Sequence, residues 1–335
     1  MMSRESVLRS SLQGVAVCVA LLLGGCSSAA KPAPAEVGPA DTGPPPAAGY
    51  YTTKPAGAWS SLPGGHWCAR NLHSSDWEPR PANAETNQYV PDPTRVQRAL
   101  LRRQKGTSSH QDRRWVTWLL PRVDGQYTGT TDEIIQWAAC KWGVSDNLLR
   151  AIAEQESTWY QRLLYRNGRC VVQLGCGDLV KRPSAATRKY CDVLARHGRD
   201  YQADFRRGVC PETFGLMGVK SWQAPSWGRM RGNQNGTFPF NRDSTAFNVD
   251  YRAADLRGCL EGWQRWLDGT GTRNYRPGKV WGCVGAWYSG DWRTPAADRY
   301  IAQVKRLLRD RPWLRPEWIN ARPQCPPRHG CPVSE

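Results

Sequence analysis

The chain of 335 residues carries 46 Lys and Arg against 29 Asp and Glu, a formal charge of +17, together with 17 tryptophans and 12 cysteines. Such a basic excess asks for an acidic partner, but no compact Lys/Arg run marks a nucleic-acid site, and none is expected. The many aromatic faces suit carbohydrate better than DNA.

Arg4 and Arg9 lead into an apolar run, Ser11 to Leu23, that ends in small residues and a cysteine, Gly24-Gly25-Cys26. A charged start, an apolar stretch of this length and small residues after it describe a secretory signal over residues 1–25. The run is short for a membrane span, which needs about 20 apolar residues. Leu23-Gly24-Gly25-Cys26 also resembles the bacterial lipoprotein signal. Cys26 is therefore expected to carry lipid and to anchor an exported protein to the cell envelope, at an outer membrane or at the outer face of the cell membrane. The alternative is an ordinary cleaved signal with Cys26 a bystander. Residues 26–65 begin with a Pro/Ala/Gly-rich stretch that cannot pack a core and read as a tether.

Beyond Cys18 and Cys26 ten cysteines remain, an even number that in an exported chain reads as disulfides, with pairing undetermined by sequence. Cys325 with Cys331, or Cys170 with Cys176, would close small local loops. Zinc is rejected, because there is no Cys-x-x-Cys pair and the five histidines lack metal spacing. No metal or cofactor is expected.

Residues 66–128 form an N-terminal extension without a readable role. Helices are predicted over Pro93–Gln104 and, briefly, near residues 112–120. Thr130 with Glu133 makes a capping box, and Gly143 is a good stop for the helix that follows. Ser145 restarts a helix as its N-cap, with Asp146 in the first turn. Further helical patterns run from Ala246 to Leu267, from about Gly278 to Tyr288, and from Pro295 to Leu308, where Tyr300, Val304 and Leu307 share a face. Strand signals are few, and the expected fold is mainly α.

The helix after Ser145 carries two glutamates two positions apart, Glu154 and Glu156. At about 100° per residue from Leu148, its apolar residues centre near 70°, Glu156 falls near 80° and Glu154 near 240°. Glu156 is thus expected to face inward. Glu154, four residues after Arg150, is expected to be an exposed surface charge. A carboxyl on an apolar face resists ionisation and can hold a proton near neutrality, which suits a general acid for glycosidic bonds. A structural glutamate paired with an arginine is the bland alternative.

Four blocks in order carry a family resemblance: "GVSDNLLRAIAEQESTW", "FGLMGVKSW" (Phe214 to Trp222), "AFNVDYRAADLRGCL" with Asn248 near its start, and "GAWYSGDW" (Gly285 to Trp292). Together they resemble the soluble lytic transglycosylases and the related goose-type-lysozyme-like domains, over roughly residues 131–308. The resemblance implies a lysozyme-like domain over residues 129–310, with an insertion at about 162–212 and a Pro/Cys-rich tail over 311–335. It implies cleavage of the MurNAc–GlcNAc backbone of peptidoglycan. Glu156 would be the catalytic acid/base and Ser157 would orient it or a sugar substituent. Gly215, Leu216 and Met217 would shape the cleft floor, and Tyr288 would hydrogen-bond near the glutamate or line the sugar site.

Two positions depart from the family pattern: Gly218 stands where a glutamine is usual, and Ser289 where an asparagine is usual. The insertion, with Cys170, Cys176, Cys191 and Cys210, reads as a disulfide-braced flap along the cleft. With one carboxyl used twice, the expected product is a 1,6-anhydro-MurNAc end. A hydrolase would need a second carboxylate, for which Asp178, Asp192, Asp204, Asp250 and Asp291 are available. A non-catalytic peptidoglycan-binding lipoprotein is the third reading.

Overall fold

The computed structural model of the chain describes residues 42–104, 112–161, 164–166, 169–171, 185–196, 212–221, 235–271 and 273–319. All of them belong to one compact unit that starts at Ala40. The predicted leader, Cys26 and the first part of the tether lie outside the described residues, as do Cys325 and Cys331. No helix among the described residues is long and apolar enough to cross a membrane.

The architecture is mainly α, as expected. In chain order it has α1 (Gly65–Arg70), α2 (Ala84–Gln88), α3 (Pro93–Gln104), α4 (Thr131–Trp142) and α5 (Asp146–Ser157). A small hairpin follows, β1 (Leu164–Arg166) with β2 (Arg169–Val171), then α6 (Ala185–Ala195). A second two-residue hairpin, β3 (Thr213–Phe214) with β4 (Val219–Lys220), pairs Phe214 with Val219. The chain continues through α7 (Phe240–Asp243), α8 (Thr245–Leu260), α9 (Val280–Ser289), α10 (Pro295–Asp310) and α11 (Pro316–Ile319).

Local signals place the starts of the central helices. Thr130 accepts from the Glu133 N–H at 3.2 Å while Glu133 accepts from the Thr130 N–H at 2.8 Å, closing the capping box. Ser145, Ser244 and Thr294 cap α5, α8 and α10 more simply, each side-chain oxygen accepting one backbone N–H. The helix read from Ala246 to Leu267 ends at Leu260, and a separate 3-10 turn covers Arg265–Leu267. Gly262, at φ +84°, turns the chain between them. Near residues 112–120 the backbone forms a π-helical turn, Trp115–Leu119, followed by a 3-10 turn.

Helix α4 is buried along its whole length, and α5 and α8 at all but one residue each. Their charges are therefore matched inside the protein. Arg150 bonds Asp132 at 2.8 Å and Asp146 at 2.7 Å. Lys141 bonds Asp250 at 2.9 Å. The predicted Arg150–Glu154 surface pair is thus replaced by an interior one.

The helices are enclosed by segments that the sequence did not assign to a core. The stretch read as tether is packed from Pro45 onward. The Tyr50 and Tyr51 N–H groups donate to Asp146 at 2.8 and 3.1 Å, and Arg257 donates to the carbonyls of Lys54 and Pro55. The extension at 66–128 is tied in by a Cys68–Cys140 disulfide, from α1 to α4. The tail read from residue 311 buries Trp313 and Trp318 against Trp159. Cys259–Cys283 links α8 to α9. Loops of 72 and 24 residues correspond to about 4 and about 3 kcal/mol of restricted unfolded chain. Cys191 is also disulfide-bonded. The rest of the proposed flap lies largely outside the described residues.

Candidate active site

Glu156 occupies the last turn of α5, and its side chain is 6% exposed. The helix ends abruptly because Thr158 and Trp159 both take left-handed backbone angles, φ +53° and +65°. Such angles strain residues with a Cβ, and a β-branched one most. The turn is held by the Trp159 indole N–H, which donates back to the Arg150 carbonyl at 3.0 Å. Around Trp159 pack Trp77, Trp313 and Trp318. The exit from the Glu156 turn is thereby fixed by a buried aromatic cluster.

Opposite Glu156 runs the loop between β3 and β4, and side chains from three elements clamp its backbone. Ser157 donates to the Leu216 carbonyl at 3.0 Å, and Gln161 accepts from the Leu216 N–H at 2.9 Å. Asn248, in the first turn of α8, accepts from the Met217 N–H at 2.8 Å and donates to the Phe214 carbonyl at 2.8 Å. Asn241 donates to the Val219 carbonyl at 2.8 Å. Each buried bond contributes about 1 kcal/mol net, and each one broken would strand a buried polar group.

The clamp explains both glycines of the block. Gly215 has φ +77°, and a Cβ there would lie 2.2 Å from Asn248 Nδ2. Gly218 has φ +60°, and a Cβ there would lie 2.5 Å from Glu156 Oε2. The departure at Gly218 is therefore not merely a missing amide. With this backbone, only glycine leaves room for the glutamate.

A hydroxyl completes the carboxyl's surroundings: Tyr300, buried on α10, donates to Glu156 Oε1. Tyr288 of α9 stacks on that ring, with centroids 4.9 Å apart and planes 5° from parallel. The structure thus brings Tyr288 within one ring of the glutamate. Tyr300 went unassigned in the sequence; its one signal was a polar ring in the stripe it shares with Val304 and Leu307.

Other expectations need correction. Ser157 is fully buried, with its hydroxyl 3.0 Å from the Leu216 carbonyl and 3.3 Å from the Ala153 carbonyl, so it ties α5 to the loop. Leu216 and Met217 are core side chains, so it is the backbone of their loop that lies against Glu156. Ser289 bonds the Gly285 and Asp291 carbonyls at the end of α9. Glu154 is not an exposed charge. It accepts from the Trp318 indole at 3.0 Å under the tail, and burial raises its pKa to about 7.

Of the possible second carboxylates, Asp250 is fully buried and committed. It accepts from Lys141, from the Trp142 indole at 2.6 Å and from the N–H groups of Asp124 and Gly125. Asp192 is exposed on α6 and Asp291 half-buried beyond α9, while Asp178 and Asp204 lie outside the described residues. Among the described residues no group of His, Cys, Asp and Glu is arranged to hold a metal. The arrangement offers one buried carboxyl, a hydroxyl on one oxygen and backbone against the other. No protein family, curated protein or solved structure matches the chain.

Proposed function

We propose that this protein is a peptidoglycan lytic transglycosylase in which Glu156 is the acid and then the base. The observation that carries the reading is the Glu156 carboxyl itself: it is buried, with the Tyr300 hydroxyl on Oε1 and a glycine against Oε2. A buried carboxyl can hold a proton where an exposed one would not, and a fixed one can deliver it along a single line.

Glu156 would protonate the oxygen joining MurNAc to GlcNAc, and the bond to MurNAc C1 would break as oxocarbenium character develops there. The carboxylate left behind would take the proton of the same residue's C6 hydroxyl as that oxygen closes onto C1. The proton count balances, no water is consumed, and the product is a 1,6-anhydro end. Tyr300, donating to Oε1, would steady the carboxylate between the two transfers.

The disulfides suit an exported protein, and the sequence reading adds a lipid on Cys26 and a place in the cell envelope. The basic surface would favour approach to an anionic wall. The fit of Gly218 to Glu156 argues against a degenerate, purely glycan-binding cleft.

The test is mass spectrometry of fragments released from purified peptidoglycan by the protein and by Glu156→Gln. Anhydro-MurNAc ends that disappear in the variant are expected. Reducing ends would replace the proposal by a hydrolase, and bound but uncut glycan would replace it by a binding protein.

A further inference from the structure

The sequence left residues 66–128 without a role, yet two side chains from that stretch meet the turn that follows Glu156. Arg80 and Asn83, joined by a 3-10 turn at Pro81–Asn83, are both fully buried. Carbonyls at the end of a helix need partners from outside it. Arg80 Nε donates to the Thr158 carbonyl at 2.9 Å, and Asn83 Nδ2 donates to the Trp159 carbonyl at 2.8 Å. Asn83 Oδ1 accepts from the Gln161 N–H at 2.8 Å. The peptide groups just after Glu156 are thus held by one turn of the extension.

The grip is anchored on its far side. Arg80 Nη1 donates to the carbonyls of Pro79, Trp318 and Ile319, and the guanidinium lies 3.7 Å from the centroid of the Trp318 ring. Asn83 Nδ2 also donates to Thr131 Oγ1 at 3.0 Å, at the first residue of α4. Beyond the turn, the Gln161 side chain donates to the Asn241 and Arg242 carbonyls and accepts from the Leu216 N–H. The loop that sets Gly218 against Glu156 Oε2 therefore hangs on the residue whose backbone Asn83 fixes. Left-handed angles such as those of Thr158 and Trp159 persist only where the surroundings over-determine them. Arg80 and Asn83 supply that constraint.

We propose that Arg80 and Asn83 are positioning residues for the Glu156 carboxyl. The inference rests on reading Glu156 as the acid/base. Both act through the backbone, Arg80 at Thr158 and Asn83 at Trp159 and Gln161. They fix the direction in which α5 ends, and Gln161 passes the same constraint to the loop opposite, so that carboxyl and loop keep their spacing. A cation at the carbonyl end of α5 is also favoured by the helix dipole.

The experiment measures the steady-state release of fragments from solubilised peptidoglycan strands by the oxidised protein and its variants, with folding checked by circular dichroism. Asn83→Ala should lower kcat about 100-fold with KM within about threefold, as expected when a reacting group moves by about 1 Å and binding is kept. Arg80→Met should do the same, and Arg80→Lys, which keeps a donor for the Thr158 carbonyl, should regain about tenfold. Arg122→Met is the control. Arg122 also lies over two tryptophan rings and donates to backbone carbonyls, but at the Lys141 end of α4, about 15 Å along the helix from Thr131. Its variant should lose stability and keep its kcat. A folded Asn83→Ala protein with kcat within about threefold of the parent overturns the proposal, and so does an Arg122→Met protein that loses as much kcat as Arg80→Met. If Asn83→Ala and Arg80→Met do not fold, Arg80→Lys decides: a fall in kcat beyond about threefold supports the proposal and a smaller one overturns it. A parent that releases no fragments refutes the reading of Glu156 itself, whereas an active parent matched by Asn83→Ala refutes this inference alone.

Discussion

Replacing Gly218 by alanine would bring a Cβ to 2.5 Å from Glu156 Oε2 and 3.2 Å from its Cδ. Ordinary contact begins at about 3.4 Å, so the carboxylate oxygen would have to retreat by about 3.4 − 2.5 = 0.9 Å. The left-handed angle at this position adds about 1–2 kcal/mol for any residue with a Cβ. Glu156 cannot retreat freely, because Tyr300 holds Oε1 and the helix ends at the next residue. Displacing a reacting group by about 1 Å costs on the order of 100-fold in rate. Gly218→Ala should therefore lower the melting temperature modestly while reducing the release of wall fragments about 100-fold, measured by chromatography and mass spectrometry at matched folded protein. Gly215→Ala is the contrast: its Cβ would meet Asn248 Nδ2 at 2.2 Å and the Asn241 carbonyl at 2.7 Å, so it should cost mainly stability. A well-folded Gly218→Ala protein releasing fragments within about threefold of the parent would show that Glu156 does not act from its observed position.

Asn248→Ala would strand the buried Met217 N–H and remove one of the donors to the Phe214 and Asn241 carbonyls, the latter still accepting from Gln161, so about 1–3 kcal/mol should be lost in denaturant unfolding. A loss below about 1 kcal/mol would mean that the clamp is not formed by this side chain. For Glu154 the sign follows from its raised pKa: the ordinary value is 4.5 and the folded value about 7, so the folded state binds the proton more tightly. Its contribution is complete below about pH 4.5 and lost as pH rises through about 7. Glu154→Gln should flatten the fall in melting temperature over that window, and a parent-like slope in the variant would rule out this group as its source.

The boundaries of α4 and α5 were legible because caps are local: Thr130 with Glu133, Ser145 and Gly143 lie within a few residues of what they satisfy. The inward position of Glu156 was legible from its angle among Leu148, Leu149 and Ile152. Glu154 was misplaced by the same wheel, which assumes that a helix has a wet side. Trp318 covers that side here, from 164 residues away. Proline and glycine in residues 45–62 hid a segment whose backbone, not its side chains, bonds to Asp146 and Arg257. The site divides likewise. Gly215 and Gly218 stand out as a motif, but the roles of Asn248, Gln161 and Tyr300 exist only across tertiary contacts.

Glu156 and its hydroxyl partner Tyr300 are 144 residues apart. Closing so long a loop costs chain entropy that is returned only when α10 docks on α5 and α9. During synthesis the carboxyl therefore emerges long before its hydroxyl. A chain halted before Pro295 would already contain Glu156, Ser157 and the whole β3–β4 loop, yet it would lack the Tyr300 hydroxyl that donates to Oε1. Partly made or clipped chains would be chemically incomplete, and the last long helix is what finishes the site.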